Sequence, residues 1–191
     1  GPEGIAVDRN GGIYVVDNGN NRVQKFAPDG RFLMQFGRFG RGDGQLRGPV
    51  ALALLPDEIQ VLDNGNRRVA RFDYSGNWLA AYGQQDAGSP RGLCYEDETM
   101  FVADADGKVL AYTVDGERLG VLVDAAGKKI GGRAPFALVQ RDGVLVVADY
   151  DGAACAAYRL GRPAAGRNVA VLAVSRVMTD YYPSLVQRLV V

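Results

Sequence analysis

Residues 15–23 read VVDNGNNRV and residues 61–69 read VLDNGNRRV. Each stretch gathers a carboxylate, side-chain amides, a glycine and an arginine within six positions, a set that could cage a cation, run acid–base chemistry or simply fasten a turn. A calcium loop of the helix–loop–helix kind needs oxygen ligands at alternate positions and a distal glutamate. Here the third position is Gly19 or Gly65, and the arginine brings positive charge where a cation would sit. Asp104-Ala-Asp106-Gly107 and Asp149-Tyr-Asp151-Gly152 are richer in oxygen, but each is short. The chain has no histidine, which removes the commonest general base and the commonest metal ligand. The residues therefore imply no metal, no cofactor and no catalytic set. As a turn, the stretch is coherent: the carboxylate accepts backbone N–H groups of the Asn-Gly turn, as Asx turns do. Asp17 then pairs with Arg22, and Asp63 with Arg68, across the mouth of a hairpin. An exposed pair of this kind contributes about 0.2–1 kcal/mol. Lys108 and Ala154 stand at the arginine position of later copies, so the pair is expected to be lost there and to be an extra rather than chemistry.

The element that positions these residues is a repeat. PEGIAVDRNGGIYVVDNGNNRVQKFAPDGRFLMQFG (2–37) is followed by PVALALLPDEIQVLDNGNRRVARFDYSGNWLAAYG (49–83), PRGLCYEDETMFVADADGKVLAYTVDGERLGVL (90–122) and a more worn copy over 135–175. Prolines recur at 2, 49, 90 and 135, and aspartates at 17, 63, 104 and 149. Each unit contains four short apolar runs separated by turn residues such as RNG, NGNN and PDG. Four strands in roughly 40–50 residues is the signature of a β-propeller blade. The expected fold is all-β: a single domain over 1–191 with four-stranded antiparallel blades at 2–48, 49–89, 90–134 and 135–182, in an incomplete or open ring. Residues 183–191 (PSLVQRLVV) echo 135–147 and are read as the truncated start of a fifth repeat, with a short amphipathic helix as the alternative.

Within this frame, the motif P-x-G-I-A-V-D, then I-Y-V-V-D-x-G-N-N-R-V-Q-K-F, then D-G-x-F-L and F-G, resembles the NHL repeat. The resemblance covers 2–122 well and 135–175 loosely. It implies a propeller that usually closes with six blades, of which this chain supplies four and a fragment.

The bulk composition agrees with a globular chain: 191 residues, 47% apolar, with 26 glycines as punctuation. Lys plus Arg and Asp plus Glu number 22 each, so no global field draws the chain to nucleic acid or anionic lipid. No apolar run approaches a membrane span, and no membrane partner is expected. The chain starts at Gly1 without a secretory leader, so an upstream leader or domain is compatible with it and the compartment stays open. Cys94 aligns with Ala6 and Ala53, and Cys155 with Val23, Val69 and Val109, which predicts two buried free thiols. Phe26, Phe72, Tyr112 and Tyr158 align in third strands and read as packing between blades.

Local charge is less even than net charge. Alternating strand direction brings the second-to-third-strand loops to the same face as the links between blades. The link RFGRGDGQLRG (38–48) carries Arg38, Arg41 and Arg47 against Asp43, and DAAGKKIGGR (124–133) carries Lys128, Lys129 and Arg133 against Asp124. The opposite face collects Asp8, Asp57, Glu58, Glu96, Asp97, Glu98, Asp115, Glu117 and Asp142. For NHL propellers the basic face is where single-stranded RNA or protein partners dock. The resemblance therefore implies a candidate patch of Arg38, Phe39, Arg41, Arg47, Arg67 and Arg68, with Lys128, Lys129 and Arg133 beside it; ordinary solvation of mixed-charge loops competes with this. The leading expectation is a non-enzymatic interaction module with a protein partner, RNA as a further option, and self-association through open blade edges. The alternatives are part of a six-bladed enzyme of the lyase or lactonase-like kind, and an extracellular sensor domain of a bacterial signalling protein.

Overall fold

The computed structural model describes residues 1–123, 127–141, 143–149 and 154–160. Asp124, Asp142, Asp151 and the whole of 161–191, with the expected fifth-repeat start, lie outside these described residues. Four antiparallel sheets follow one another along the chain. Blade 1 holds β1 (Pro2–Val7), β2 (Ile13–Asp17), β3 (Arg22–Phe26) and β4 (Phe32–Phe36). Blade 2 holds β5 (Pro49–Leu54), β6 (Ile59–Asp63), β7 (Arg68–Phe72) and β8 (Trp78–Tyr82). Blade 3 holds β9 (Pro90–Glu96), β10 (Thr99–Asp104), β11 (Lys108–Thr113) and β12 (Arg118–Val121). Blade 4 shows β13 (Pro135–Arg141), β14 (Val144–Asp149) and β15 (Ala154–Arg159) among the described residues. The chain is an all-β propeller arc whose innermost strands pack in the order β1, β5, β9, β13, and the described blades do not close the ring.

Strand alternation places one row of side chains on each face of a blade, and both rows are apolar in most blades because each must meet a neighbour. Among the described residues the core is accordingly three seams, one between each consecutive pair of blades. Tyr14, Val16, Val23 and Phe36 of blade 1 meet Leu52, Ile59, Val61, Ala70 and Phe72 of blade 2. Leu62, Val69 and Tyr82 meet Leu93, Met100, Val102, Leu110 and Tyr112 in the second seam. Phe101, Ala103, Val109 and Ala111 meet Leu138, Leu145 and Val147 in the third. The aromatic column runs through them as expected: Phe36 and Phe72 lie 4.8 Å apart between ring centroids, and Tyr82 and Tyr112 lie 5.0 Å apart. Gly30, Gly76 and Gly116 turn each third strand into its fourth at φ values of 86°, 81° and 93°, a region that side chains disfavour.

Every first strand carries a register shift just after its proline, between Pro2 and Gly4, Pro49 and Ala51, Pro90 and Gly92, and Pro135 and Ala137. The residue after the bulge is always small, and the reason is distance. A Cβ on Gly4 would lie 2.9 Å from the Val50 carbonyl oxygen, and one on Gly92 would lie 3.0 Å from the Ala137 Cα. The inner strands touch backbone to backbone, so side-chain bulk there forces neighbouring blades apart. Gly92→Val is expected to cost about 1–3 kcal/mol as overpacking. At about 2–4 °C per kcal/mol for a chain of this size, differential scanning calorimetry will register a lower Tm; an unchanged Tm would refute the close-contact account.

Candidate functional site

Each DNGN loop is a single 3-10 turn, over Asn18–Asn20 and Asn64–Asn66, and ends on a left-handed residue, Asn21 or Arg67. The aspartate that precedes it closes the second strand and accepts from several donors. Asp17 Oδ2 accepts from Asn20 Nδ2 at 2.8 Å and from Arg22 Nε at 2.9 Å. Asp63 Oδ2 accepts from Asn66 Nδ2 at 2.7 Å and Arg68 Nε at 2.9 Å, and its Oδ1 takes the Arg47 backbone N–H at 2.7 Å. Asp104 takes the N–H groups of Gly88 and Ser89, and Asp149 those of Arg133 and Ala134. Asp17, Asp63 and Asp104 thus accept from their own turns, Asp104 through Asp106 N–H at 3.2 Å, and Asp63, Asp104 and Asp149 also accept N–H groups of the link that enters the blade. Beyond the expected service to its own turn, the carboxylate of blades 2, 3 and 4 is a clasp between link and hairpin.

The asparagines extend the clasp to the next blade. Asn18 Nδ2 donates to the Pro49 carbonyl at 3.0 Å, and Asn64 Nδ2 to the Pro90 carbonyl at 2.6 Å. Asn21 accepts the Gly48 N–H at 2.8 Å. Two further expectations change. The Asp63–Arg68 pair is not an exposed extra, since its side chains are 0% and 6% exposed. Lys108 does not lose the pair either, for its Nζ stands 3.3 Å from Asp104 Oδ2. The loop is one residue shorter there, which brings the lysine within reach. Sequence reasoning missed both points because burial and reach depend on the neighbouring link.

The candidate patch separates into two kinds of residue. Arg68 is inside: its guanidinium donates to the carbonyls of Arg41, Gly42 and Gln45 at 3.2, 3.1 and 2.8 Å and stacks over Trp78 at 5.1 Å. That web, with Asn66 donating to the Gly40 carbonyl and Leu46 N–H to the Arg38 carbonyl, holds the 38–48 link rigid. Arg38, Phe39, Arg41 and Arg47 are exposed on it and Arg67 is exposed on the adjoining turn, where Arg41 and Arg67 border a polar cleft of about 240 Å³ with Gln84. Lys128, Lys129 and Arg133 are exposed on the link that enters blade 4. The link into blade 3 breaks the basic run, since it carries Asp86, which meets Arg118 at 3.3 Å.

Sequence reasoning also missed the bulged residues. Glu3, Val50, Arg91 and Phe136 follow the four prolines, and all four line one axial cleft of about 650 Å³ that reaches Ala105 and Ala134 on the clasp face. A bulge re-aims the extra side chain, here toward the axis. The signal was present: this is the P-x position, which changes chemistry in every repeat while its neighbours stay small or apolar. On the opposite face, Arg9, Pro56, Tyr95, Glu96, Asp97 and Glu98 border an acidic cleft, whereas Glu58 and Asp115 are held by Arg71 at 2.9 and 3.0 Å.

Burial and donors oppose each other in the titration of the clasps. Asn20 and Arg22 hold the Asp17 carboxyl below the usual carboxylate range, against the opposing effect of burial. Burial pushes the Asp104 carboxyl up, but the Ser89, Gly88 and Asp106 N–H groups with Lys108 outweigh it, and the net shift is downward. At Asp63 burial prevails over the donors and the shift is upward. Cys94 and Cys155 are free and half-buried, and burial raises the Cys94 thiol to about 12, with Glu96 adding to it.

Among known proteins, the NHL repeat profile matches residues 1–26, which span β1 to β3. Protein brain tumor of Drosophila melanogaster is 43% identical over 54 residues, 28% of this chain. RING finger protein nhl-1 of Caenorhabditis elegans is 42% identical over 52 residues, 27% of this chain. The aligned part is 5% of the length of each relative. Among solved structures, an inactive H270A virginiamycin B lyase from Staphylococcus aureus superposes with TM-score 0.66 at 18% identity, covering 92% of this chain and 54% of that one. The computationally designed Ika4 protein superposes with TM-score 0.60 at 16% identity, covering 84% and 92%. These structural likenesses concern the fold.

Two outcomes follow for the clasp. Arg68→Ala leaves a buried carboxylate without its charged partner and is expected to cost about 3–5 kcal/mol, against about 0.2–1 kcal/mol for Arg22→Ala at the more open pair; equal losses in urea unfolding would contradict the burial difference. For Asp104, with its carboxyl below the ordinary 3.8, the stability it supplies is present above that value and lost as pH falls through the lowered one. Asp104→Asn should therefore flatten the loss of stability below about pH 4, whereas Asp63→Asn, whose carboxyl is shifted upward, should not.

Proposed function

We propose that this NHL-repeat β-propeller acts as a non-enzymatic interaction module whose clasp face receives an anionic partner. The observation that carries the reading is the build of the 38–48 link. A buried arginine spends its donors on three carbonyls of that link, so that Arg38, Arg41 and Arg47 are displayed with Phe39 on a backbone already ordered before binding. Preorganised display lowers the ordering cost of association. Guanidinium groups pair with phosphates or carboxylates bidentately, and an exposed aromatic adds a stacking surface. Phe39 is 68% exposed, which suits that role. Arg67 continues the patch, and Lys128, Lys129 and Arg133 extend the same chemistry toward blade 4.

The carboxylates, by contrast, are committed to structure. Asp63, Asp104 and Asp149 accept backbone N–H groups that fix the links, and Asp17 accepts from Asn20 and Arg22. This supports binding over acid–base chemistry at the loops.

Single-stranded RNA is the first partner to test, with an acidic peptide as the parallel arm. Fluorescence anisotropy with a single-stranded oligonucleotide is expected to show binding that weakens with salt, and Arg38→Glu/Arg41→Glu/Arg47→Glu should abolish it. Each lost phosphate contact lowers the slope of log K against log salt by about 0.7 for single strands. Binding unaffected by the triple substitution would remove the clasp face from the reading, and loss of peptide binding alone would assign the face to a protein partner.

A further inference from the structure

We infer that Asn10 is a site of spontaneous covalent modification, at which an asparagine on the face opposite the clasps converts to aspartate or isoaspartate. Asn-Gly pairs stand at 10–11, 18–19 and 64–65. At such a pair the glycine nitrogen can attack the asparagine Cγ, because the residue that supplies it has no Cβ to crowd the approach. An N–Cγ bond forms, the glycine N–H proton passes to solvent base, and the side-chain nitrogen leaves as ammonia. Water then opens the five-membered imide. Breaking its Cγ–N bond leaves aspartate; breaking the bond from nitrogen to the asparagine main-chain carbonyl leaves isoaspartate. The reaction needs a carboxamide that is free to swing onto the following nitrogen, and a nitrogen free to receive it.

Two of the three pairs are denied that freedom. Asn64 Nδ2 donates to the Pro90 carbonyl at 2.6 Å and the Gly65 N–H to the Arg47 carbonyl at 2.8 Å, so both reacting groups are tied to distant parts of the chain. Asn18 Nδ2 is held by the Pro49 carbonyl at 3.0 Å. Asn10 is exposed, and its side chain makes no hydrogen bond among the described residues. The Gly11 N–H meets only the Asp8 carbonyl at 3.0 Å, a local bond that opens without disturbing a link or a seam. This exposure belongs to the turn and not to the blade's place in the arc. Asp57 and Asp97, in the corresponding turns of blades 2 and 3, are exposed with a blade packed before them.

The turn itself does not require the amide. Asp8 Oδ1 accepts the Asn10 and Gly12 N–H groups at 2.9 and 2.8 Å, while Asp8 N–H donates to the Gly12 carbonyl at 2.9 Å. The turn at 73–77 repeats this frame, with Asp73 Oδ1 accepting Ser75 and Asn77 N–H at 2.9 and 2.8 Å and Asp73 N–H donating to Asn77 at 2.9 Å. Ser75 stands there where Asn10 stands in blade 1. Either product at position 10 adds a carboxylate beside Asp8, whose Oδ2 lies 3.8 Å from Lys25 Nζ. Isoaspartate also lengthens the backbone by one methylene inside the Asp8 frame.

The test is to incubate the folded chain in mildly alkaline buffer and map it by mass after peptic digestion, in acid so that nothing converts during the digest. Fragmentation places each replacement of NH2 by OH. A parallel incubation in denaturant supplies the intrinsic rate of each pair. Relative to those rates, Asn10 should convert about tenfold faster than Asn18 and Asn64, which must first lose their anchoring hydrogen bonds. Asn18 or Asn64 converting as readily as Asn10 in the folded chain overturns the inference, as does an Asn10 that folding protects to the same degree. Asn10→Ser, a residue that the equivalent turn already carries, should remove the main acidic species on isoelectric focusing with an unchanged Tm. Persistence of that species in Asn10→Ser overturns the assignment independently.

Discussion

Blades 2, 3 and 4 each begin with a chain segment that arrives from the preceding blade carrying N–H groups that no strand accepts. Buried backbone donors must find an acceptor, and a carboxylate at the end of the second strand supplies it. Asp63 takes Arg47, Asp104 takes Gly88 and Ser89, and Asp149 takes Arg133 and Ala134. This one interaction ties the link to its hairpin and thereby fixes where the inner strand starts. In blades 2, 3 and 4 the bulge after the proline directly follows the clasped link.

From the axis outward, stability passes to the seams. A propeller has no single centre, so each blade depends on the two faces it shares with neighbours. The aromatic column shows how one position can do the same work with different rings, Phe72 against Phe36 and Tyr112 against Tyr82. Where a seam turns polar, it does so as a satisfied network: Gln60, fully buried, donates to Glu58 and the Val114 carbonyl and accepts from the Tyr82 hydroxyl. Tyr14 and Phe101 occupy the same register in blades 1 and 3, so the substitution is local to the second seam.

The same construction separates framework from display. Arg68 and Arg38 lie close in the loop cluster, yet one is consumed by carbonyls and the other faces solvent. A rigid backbone below and variable side chains above is the arrangement that binding surfaces on repeat proteins use. The bulged ring of Glu3, Val50, Arg91 and Phe136 obeys the same division, with small neighbours as the fixed part and the P-x side chain as the variable one.

Periodicity alone determined the four blades, their strand order and the hairpin turns, because a repeat of prolines, aspartates and glycines at fixed intervals admits few chain paths. It also determined that Phe72 and Tyr112 pack between blades, since one register position stayed aromatic throughout. Burial and reach were decided only by the tertiary structure. Arg22 and Arg68 are the same residue in the same motif, but the 38–48 link covers only the second. Lys108 meets Asp104 because a shorter loop brings it near. Local sequence specifies which groups a blade carries; the neighbouring blade and link specify whether those groups meet protein or water.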